Sequence, residues 1–532
     1  MRAWSIGRAQ RARAAWVMFG LFGVLVAPTI LSGCGAAGGT HRTTVAASCL
    51  DRAPEHGGTL VVGIQGSSST ETNNPFIDTT NLSDALRRVL LYDAVTKLTP
   101  SGRMVGAAAG SWAYNKGLTE VRFTVRHGER FSDGAAVTPA DVAYSLRLYG
   151  KIGFGTTAIP IDWPKVRVEG DQVVAPLLKP RTDVAENLAQ VSDVVVKAGT
   201  TDFTNAPLGS GPFKIDVFEP GSGVALLVRN TFYPQPVYLH AIEIRAFADP
   251  AAMTNAFLAG EIDVAINVGA VNARRVEGDK GVKIIRERGA LTYPFIMRLP
   301  DPPFNNPDVR LALKLAVDRQ ALVNGALQGQ GTVGNDLFMP SDPDYDTSLP
   351  QRERDLRRAA ELLERAGYTA SHPLRLTLWS STYAPEMADA ATLFVAQLDS
   401  GLPMVDAKVE LAPADTYWSD VWLVKPFSTG WEQIFPLTTA IYRTLGYSGS
   451  ATDETGMHRT DFDALVDEAV RTTNPALRKQ ALYAAQRILW ADGGYIVWGY
   501  EDEIDLSRPD VCGLPTAPGI ASYALSQTWL SR

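Results

Sequence analysis

The 532-residue sequence has six histidines and three cysteines. His41, His56, His127, His240, His372 and His458 lie far apart, with no two at helical ligand spacing. Neither His-Glu-x-x-His nor His-x-x-Glu-His occurs, nor does Cys-x-x-Cys, so the common zinc signatures are missing. No Gly-x-Ser-x-Gly elbow is present; Gly209-Ser210-Gly211 and Gly221-Ser222-Gly223 have the wrong spacing. The Gly-x-x-x-x-Gly-Lys phosphate loop is missing too. Carboxylates are plentiful, but nothing in their pattern singles out a catalytic pair. The expectation is therefore a chain with no catalytic residue, no bound metal and no cofactor. There is also no internal repeat, low-complexity tract, heptad run or large Lys/Arg cluster. With a formal charge of −7, the chain is a poor nucleic-acid binder.

What is present begins at the amino end. Arg2, Arg8, Arg11 and Arg13 precede an almost wholly apolar stretch from Ala14 to Leu31, interrupted by Gly20, Gly23, Pro28 and Thr29. A basic lead and a short apolar run is the pattern of a secretory signal; the other reading is an uncleaved membrane anchor. Leu31-Ser32-Gly33-Cys34 resembles the bacterial lipobox, in which the cysteine is diacylated and the peptide is cut before it. Two acyl chains hold a protein on a membrane more firmly than one. This implies a signal at 1–33, lipidation of Cys34 and a tether over 34–56, Gly/Ala/Thr/Ser-rich from Gly35 to Ala47.

Cleavage would leave 499 residues with a net charge of −11, too long for a single core. Cys49 and Cys512 remain. In an oxidising compartment they are either joined or left as two buried thiols. A bond would close a very long loop and contribute roughly 4–5 kcal/mol in the chain-entropy model.

Strand and helix signals alternate throughout, giving an α/β class. Leu60–Ile64 reads as a buried strand, and Val121, Phe123 and Val125 alternate with polar residues. Thr138-Pro139-Ala140-Asp141, Asp249-Pro250, Asn306-Pro307 and Asn474-Pro475 are helix starts, as is Thr460-x-x-Asp463. Gly260 and Gly367 are stops, and a strand is expected over Ile262–Ile266. Leu374, Leu376 and Leu378 mark another strand.

Several blocks together resemble the family 5 extracellular solute-binding proteins, the oligopeptide-, dipeptide- and nickel-binding components of ABC importers. The sharpest runs from Arg122 to Ser145: a strand, a basic turn, Phe131-Ser132-Asp133-Gly134 and a capped helix. Leu91-Tyr92-Asp93 and Ala109-Gly110-Ser111-Trp112 precede it. Pro207-Leu208-Gly209-Ser210-Gly211-Pro212-Phe213, Arg229-Asn230 and Gly260-Glu261-Ile262-Asp263-Val264 follow. Then come Pro302-Pro303-Phe304, Val309-Arg310, Ala316-Val317-Asp318-Arg319, Leu362-Leu363 and Ala366-Gly367-Tyr368.

The resemblance implies a two-lobed, periplasmic-binding-protein-like cleft fold with an extra subdomain inserted in lobe I. Lobe I would comprise 57–75, 186–274 and 491–532, the insertion 76–185, and lobe II 275–490. That arrangement puts Cys49 and Cys512 in one lobe and so favours their disulfide. It also implies a monomer that captures a peptide or peptide-like solute and delivers it to ABC permease subunits in the membrane. A non-transport receptor or scaffold of the same fold, or a component for a nickel chelate or oligosaccharide, are the alternatives.

For the ligand, peptide-binding members place an acidic residue three positions after a Gly-Trp. Here Gly430-Trp431 is followed at that position by Ile434, and Glu432 is the nearest carboxylate. Glu432 would face the same side as Ile434 but lie about 7 Å away along an extended segment. Trp431 is the principal cleft candidate. Ser67, Ser68 and Ser69, after the first strand, and Trp379, Ser381 and Tyr383, at the end of another, are candidate contacts. Tyr417, Trp418, Trp422 and Phe427 read as core packing before cleft wall.

Overall fold

The computed structural model describes residues 49, 52–66, 71–76, 81–98, 104–152, 159–190, 194–204, 207–414, 416–433, 437–438, 441, 445–450, 452–515 and 524–532. Cys34, Ser67, Ser68, Ser69 and Ile434 lie outside the described residues.

Among the described residues two large sheets carry the architecture. The first has nine strands. Along its path lie Glu432–Gln433, Lys283–Thr292, Gly499–Ser507, Val264–Ala265, Thr59–Gln65, Ala241–Phe247, Val224–Arg229 and Phe213–Phe218, with Gly331–Val333 also paired to Gly499–Ser507. The second has five: Val405–Ala412, Leu374–Ser381, Phe427–Thr429, Phe295–Met297 and Tyr495–Ile496. A four-stranded sheet, built from Ala109–Tyr114, Glu120–Val125, Gln172–Pro176 and Arg167–Glu169, has its own core around Phe123 and Phe131. Each large sheet likewise buries an apolar face, Val62, Ile64 and Leu227 in one and Phe295 and Leu378 in the other, where Phe394 of the helix Pro385–Gly401 stacks on Phe295.

Three connections pass between the two large sheets, each through two residues. Tyr293-Pro294 follows the outgoing strand Lys283–Thr292, and Val497-Trp498 precedes the return strand Gly499–Ser507. Gly430-Trp431 joins Phe427–Thr429 to Glu432–Gln433. The three are stitched together: the Gly430 amide donates to the Pro294 carbonyl at 2.8 Å, and Trp498 Nε1 donates to the Tyr293 carbonyl at 2.6 Å. Gly430 is required by this closeness, because a Cβ there would meet Ile296 Cδ1 at 2.9 Å and Pro294 Cγ at 3.0 Å.

Local signals mostly become local structure. Thr138 and Asp141 form a reciprocal cap, with the Thr138 amide donating to Asp141 Oδ2 at 2.8 Å. Asp249, Asn306 and Asn474 cap helices that each begin with proline. Gly260 adopts φ 82° as the C-cap of its helix. Two expectations need correction. The strand near Ile262–Ile266 is only Val264–Ala265. The Thr460/Asp463 cap does not form: Arg459 is the N-cap residue, and Asp463 instead accepts the Ser448 amide at 3.0 Å. A long-range loop partner has won over the local one.

Cys49 and Cys512 are joined, S–S 1.99 Å with Cα atoms 5.5 Å apart.

Candidate functional site

Trp431 sits on an outer crossing, beside Tyr293-Pro294, so the fold itself places an indole at the junction of the two large sheets. Its ring meets Tyr383 edge-on, centroids 6.2 Å apart. Tyr383 in turn meets Trp418 at 5.3 Å, and Trp418 meets Tyr417 at 5.2 Å and Trp422 at 5.8 Å. Edge-to-face contacts at these distances are the favourable geometry for aromatic quadrupoles. The most exposed member of this ladder is Tyr383, 40 % accessible; its buried end is Tyr417, whose hydroxyl donates to the Thr429 carbonyl at 2.6 Å. Tyr417 and Phe427 are core residues, as their sequence context suggested, whereas Trp418 belongs to the ladder.

The remaining candidates divide. Glu432 is buried and opposite Thr292 in the strand pair. It hydrogen-bonds Glu454, which also accepts from Trp422 Nε1 at 2.5 Å and Tyr495 Oη at 2.9 Å. Two buried carboxyls in contact cannot both ionise cheaply; burial, countered by those donors, holds Glu454 above the usual carboxylate range. Glu432 thus anchors one end of the ladder to the core through Glu454. Ser381 is buried, and its hydroxyl accepts the Tyr383 amide at 3.1 Å, fixing the turn that projects Tyr383. Trp379 stands apart from the ladder beneath the Lys425 ammonium, 4.3 Å from its ring centroid.

Sequence reasoning missed a set of carboxyls beside this ladder. Glu386, in the first turn of the helix Pro385–Gly401 that follows Tyr383, acts electrostatically on Glu501 of the return strand. Glu501 accepts a short hydrogen bond from Tyr293 Oη at the first crossing. Burial, then Glu386, push Glu501 up to about 8, and burial raises Glu503 to about 7. Asp505 is driven well up by burial and by Glu503. Acids crowd Gly499–Ser507 in the sequence, at 501, 502, 503 and 505, but the strand's pairing with Lys283–Thr292 is too remote to read there.

These shifts set a pH dependence. A carboxyl raised in the folded state binds more protons there than in the unfolded chain, so its favourable contribution is complete below the unfolded value, about 4.3, and is lost as pH rises through the folded one. Between pH 5 and 7 the ligand-free protein should therefore lose up to about 1.4 kcal/mol per pH unit through Glu501. Lys314, pushed down to about 7 by burial, acts in the opposite direction only above that window. Denaturant unfolding at pH 5 and pH 7 checks this: Glu501→Gln should flatten the slope, and an unchanged slope would contradict it.

Residues 103–453 match the family described as bacterial extracellular solute-binding proteins, family 5 Middle. The glutathione-binding protein GsiB of Escherichia coli (strain K12) is 25 % identical over 507 residues, covering 90 % of this chain and 94 % of its own length. The periplasmic binding protein DppA from Helicobacter pylori, solved in complex with peptide STSA, superimposes with a TM-score of 0.73 at 18 % identity, covering 90 % of this chain and 99 % of its own. The ABC transporter substrate-binding protein CtaP from Listeria monocytogenes gives a TM-score of 0.77 at 17 % identity, covering 90 % and 100 %. The chain belongs to the bacterial extracellular solute-binding proteins of family 5, and has their two-lobed fold.

Proposed function

We propose that this chain captures a peptide or peptide-like solute outside the cytoplasm and presents it to the permease subunits of an ABC importer. The observation that carries this reading is the aromatic ladder Trp431–Tyr383–Trp418 at the junction of the two large sheets. A cleft of this kind gives a ligand apolar walls and a few fixed polar groups, the ordinary composition of a small-molecule site. The names of the relatives, which refer to glutathione and to a bound tetrapeptide, support a short peptide as the class. The protein acts as a monomeric binder rather than a catalyst, and is held at the outer face of the membrane by a diacylated Cys34. Lobe I is assigned to 57–75, 186–274 and 491–532, its insertion to 76–185 and lobe II to 275–490. The helix Leu82–Leu91 lies at the seam of the insertion, packing on the nine-stranded sheet.

Gentle purification followed by native mass spectrometry tests the reading. A retained peptide-sized molecule is expected; ligand-free protein that no peptide pool stabilises would overturn it. Trp431→Ala should weaken binding at least about ten-fold, the scale of a buried aromatic contact, while the protein stays folded. Unchanged affinity would remove Trp431 from the site.

A further inference from the structure

Along the return strand Gly499–Ser507, Ile504 and Leu506 pack against Met253 and Phe257 on one face of the nine-stranded sheet. Side chains alternate along a strand, so Glu501, Glu503 and Asp505 occupy the other face. Glu287 lies directly opposite Glu503 in the neighbouring strand, with Ile285 opposite Asp505. Like charges at opposed positions destabilise a strand pair. Glu501 and Asp505 are buried, at 6 % and 0 % exposure, and Glu503 is only partly so.

Several buried acids elsewhere in this chain are paired with cations, although Glu454 and its partner Glu432 instead share a hydrogen bond. Asp336 has Arg319 and Arg352, Asp183 has Arg181, and Glu71 and Asp84 share Arg87. Among the described residues, Glu501, Glu503 and Asp505 make no ion pair. Asp505 Oδ1 accepts the Asn267 amide at 2.8 Å, while its Oδ2, fully buried, has no hydrogen-bond partner. An ionised carboxylate in that state lacks compensation unless a cation arrives.

The row is also placed for a ligand. One end, Asp505, adjoins Asn267 just beyond the strand Val264–Ala265. The other end, Glu501, touches Tyr293 at a crossing and is electrostatically linked to Glu386, three residues after Tyr383 of the aromatic ladder.

We propose that Glu503 and Asp505, with Glu501 beside them, form the subsite that receives an ammonium group of the solute. The proposal rests on the solute-capture reading and names the charge of its ligand. A metal ion does not suit the row. Successive members stand about 7 Å apart along the strand, too far to converge on one ion at bonds of about 2–2.6 Å. Among the described residues no group of three or more His, Cys, Asp or Glu side chains is placed to hold a metal. An organic ammonium needs no such convergence, since a single carboxylate of the row suffices to accept its hydrogen bond.

The test uses the purified full chain and three probes: a pool of tri- and tetrapeptides with free amino ends, the same pool N-acetylated and free of lysine and arginine, and 1,4-diaminobutane. Thermal shift and calorimetry are read for the wild type, Glu503→Gln and Glu503→Gln/Asp505→Asn. These near-isosteric changes remove charge without leaving a cavity, and the partly exposed single site guards against a folding defect in the double variant. The expected result is a shift with the free-amine pool and none with the acetylated pool, together with binding at least ten-fold weaker in the double variant. Equal shifts with both pools, or undiminished binding in the variants, would overturn the ammonium subsite and leave the solute-capture reading standing. No shift with any probe would overturn both.

Discussion

Asp336→Ala is expected to destabilise the protein by about 3–5 kcal/mol, the usual consequence of stripping the partner from a buried ion pair. Asp336 is completely buried and binds two guanidiniums, Arg319 Nη2 at 2.7 Å and Arg352 Nε at 2.6 Å. Arg352 lies flat on Trp490, 3.9 Å from the ring centroid. Lys314, also buried, donates to the Leu489 and Trp490 carbonyls at 3.3 and 3.2 Å and feels Asp336 as its main electrostatic support. Removing one carboxylate therefore leaves three buried cations without their common counter-charge. The cluster ties the helices Pro307–Ala316 and Pro475–Asp492 together, so its loss should loosen the core beneath the five-stranded sheet. Chemical denaturation measures the effect. A loss below about 1 kcal/mol would mean that the cluster is solvated and that neighbouring water replaces the carboxylate.

Breaking the Cys49–Cys512 bond should produce the next largest change. The bond spans 463 residues of sequence. With 463 residues enclosed, the chain model gives about 6 kcal/mol, above the roughly 4–5 expected from the sequence, and measured removals typically cost about 2–5 kcal/mol. Among the described residues before the first strand, further contacts reach the rest of the chain. The Arg52 guanidinium reaches the Ser531 carbonyl at 3.2 Å, and the Gly57 amide reaches Tyr238 at 2.8 Å. Cys512 belongs to the two-stranded pair Val511–Cys512 with Trp529–Leu530, so the bond also pins the end of the chain. The double variant Cys49→Ser/Cys512→Ser should unfold several degrees below the wild type in non-reducing buffer. Identical midpoints would show that unfolding begins in a region the bond does not restrain.

Much of the local fold was legible in the sequence, because capping is a short-range bargain between residues a few positions apart. Thr138 with Asp141, and Asp249, Asn306 and Asn474 before their prolines, all formed as read. Where a distant partner competed, the reading failed: Asp463 turned to Ser448 rather than to its own helix start. The disulfide was one of two open readings until the resemblance placed both cysteines in one lobe.

The site was only half legible. A Gly-Trp pair drew attention to Trp431, and the strand end at Ser381–Tyr383 was recognised as a possible edge. Nothing in the sequence brings Tyr383 to Trp431 or Trp418 to Tyr383, since those contacts depend on where three separate crossings meet. Glu454, 22 positions beyond Glu432, was invisible for the same reason. The acids of the return strand, at 501, 502, 503 and 505, have no clean period of two, so the sequence did not single out a face. Only the folded structure shows that Glu501 and Asp505 are buried while Glu503 is partly exposed.

The central claim is that this cleft closes on a small solute, and titration of the ligand-free protein followed by intrinsic tryptophan fluorescence tests it most directly. Trp431 lies where the two sheets meet and Trp418 is linked to it through Tyr383, so occupancy should change their emission. A saturable change with a micromolar or tighter Kd for one peptide class, lost in Trp431→Ala, is the predicted result. No saturable change with peptides, amines, sugars or a nickel–histidine chelate would contradict the account.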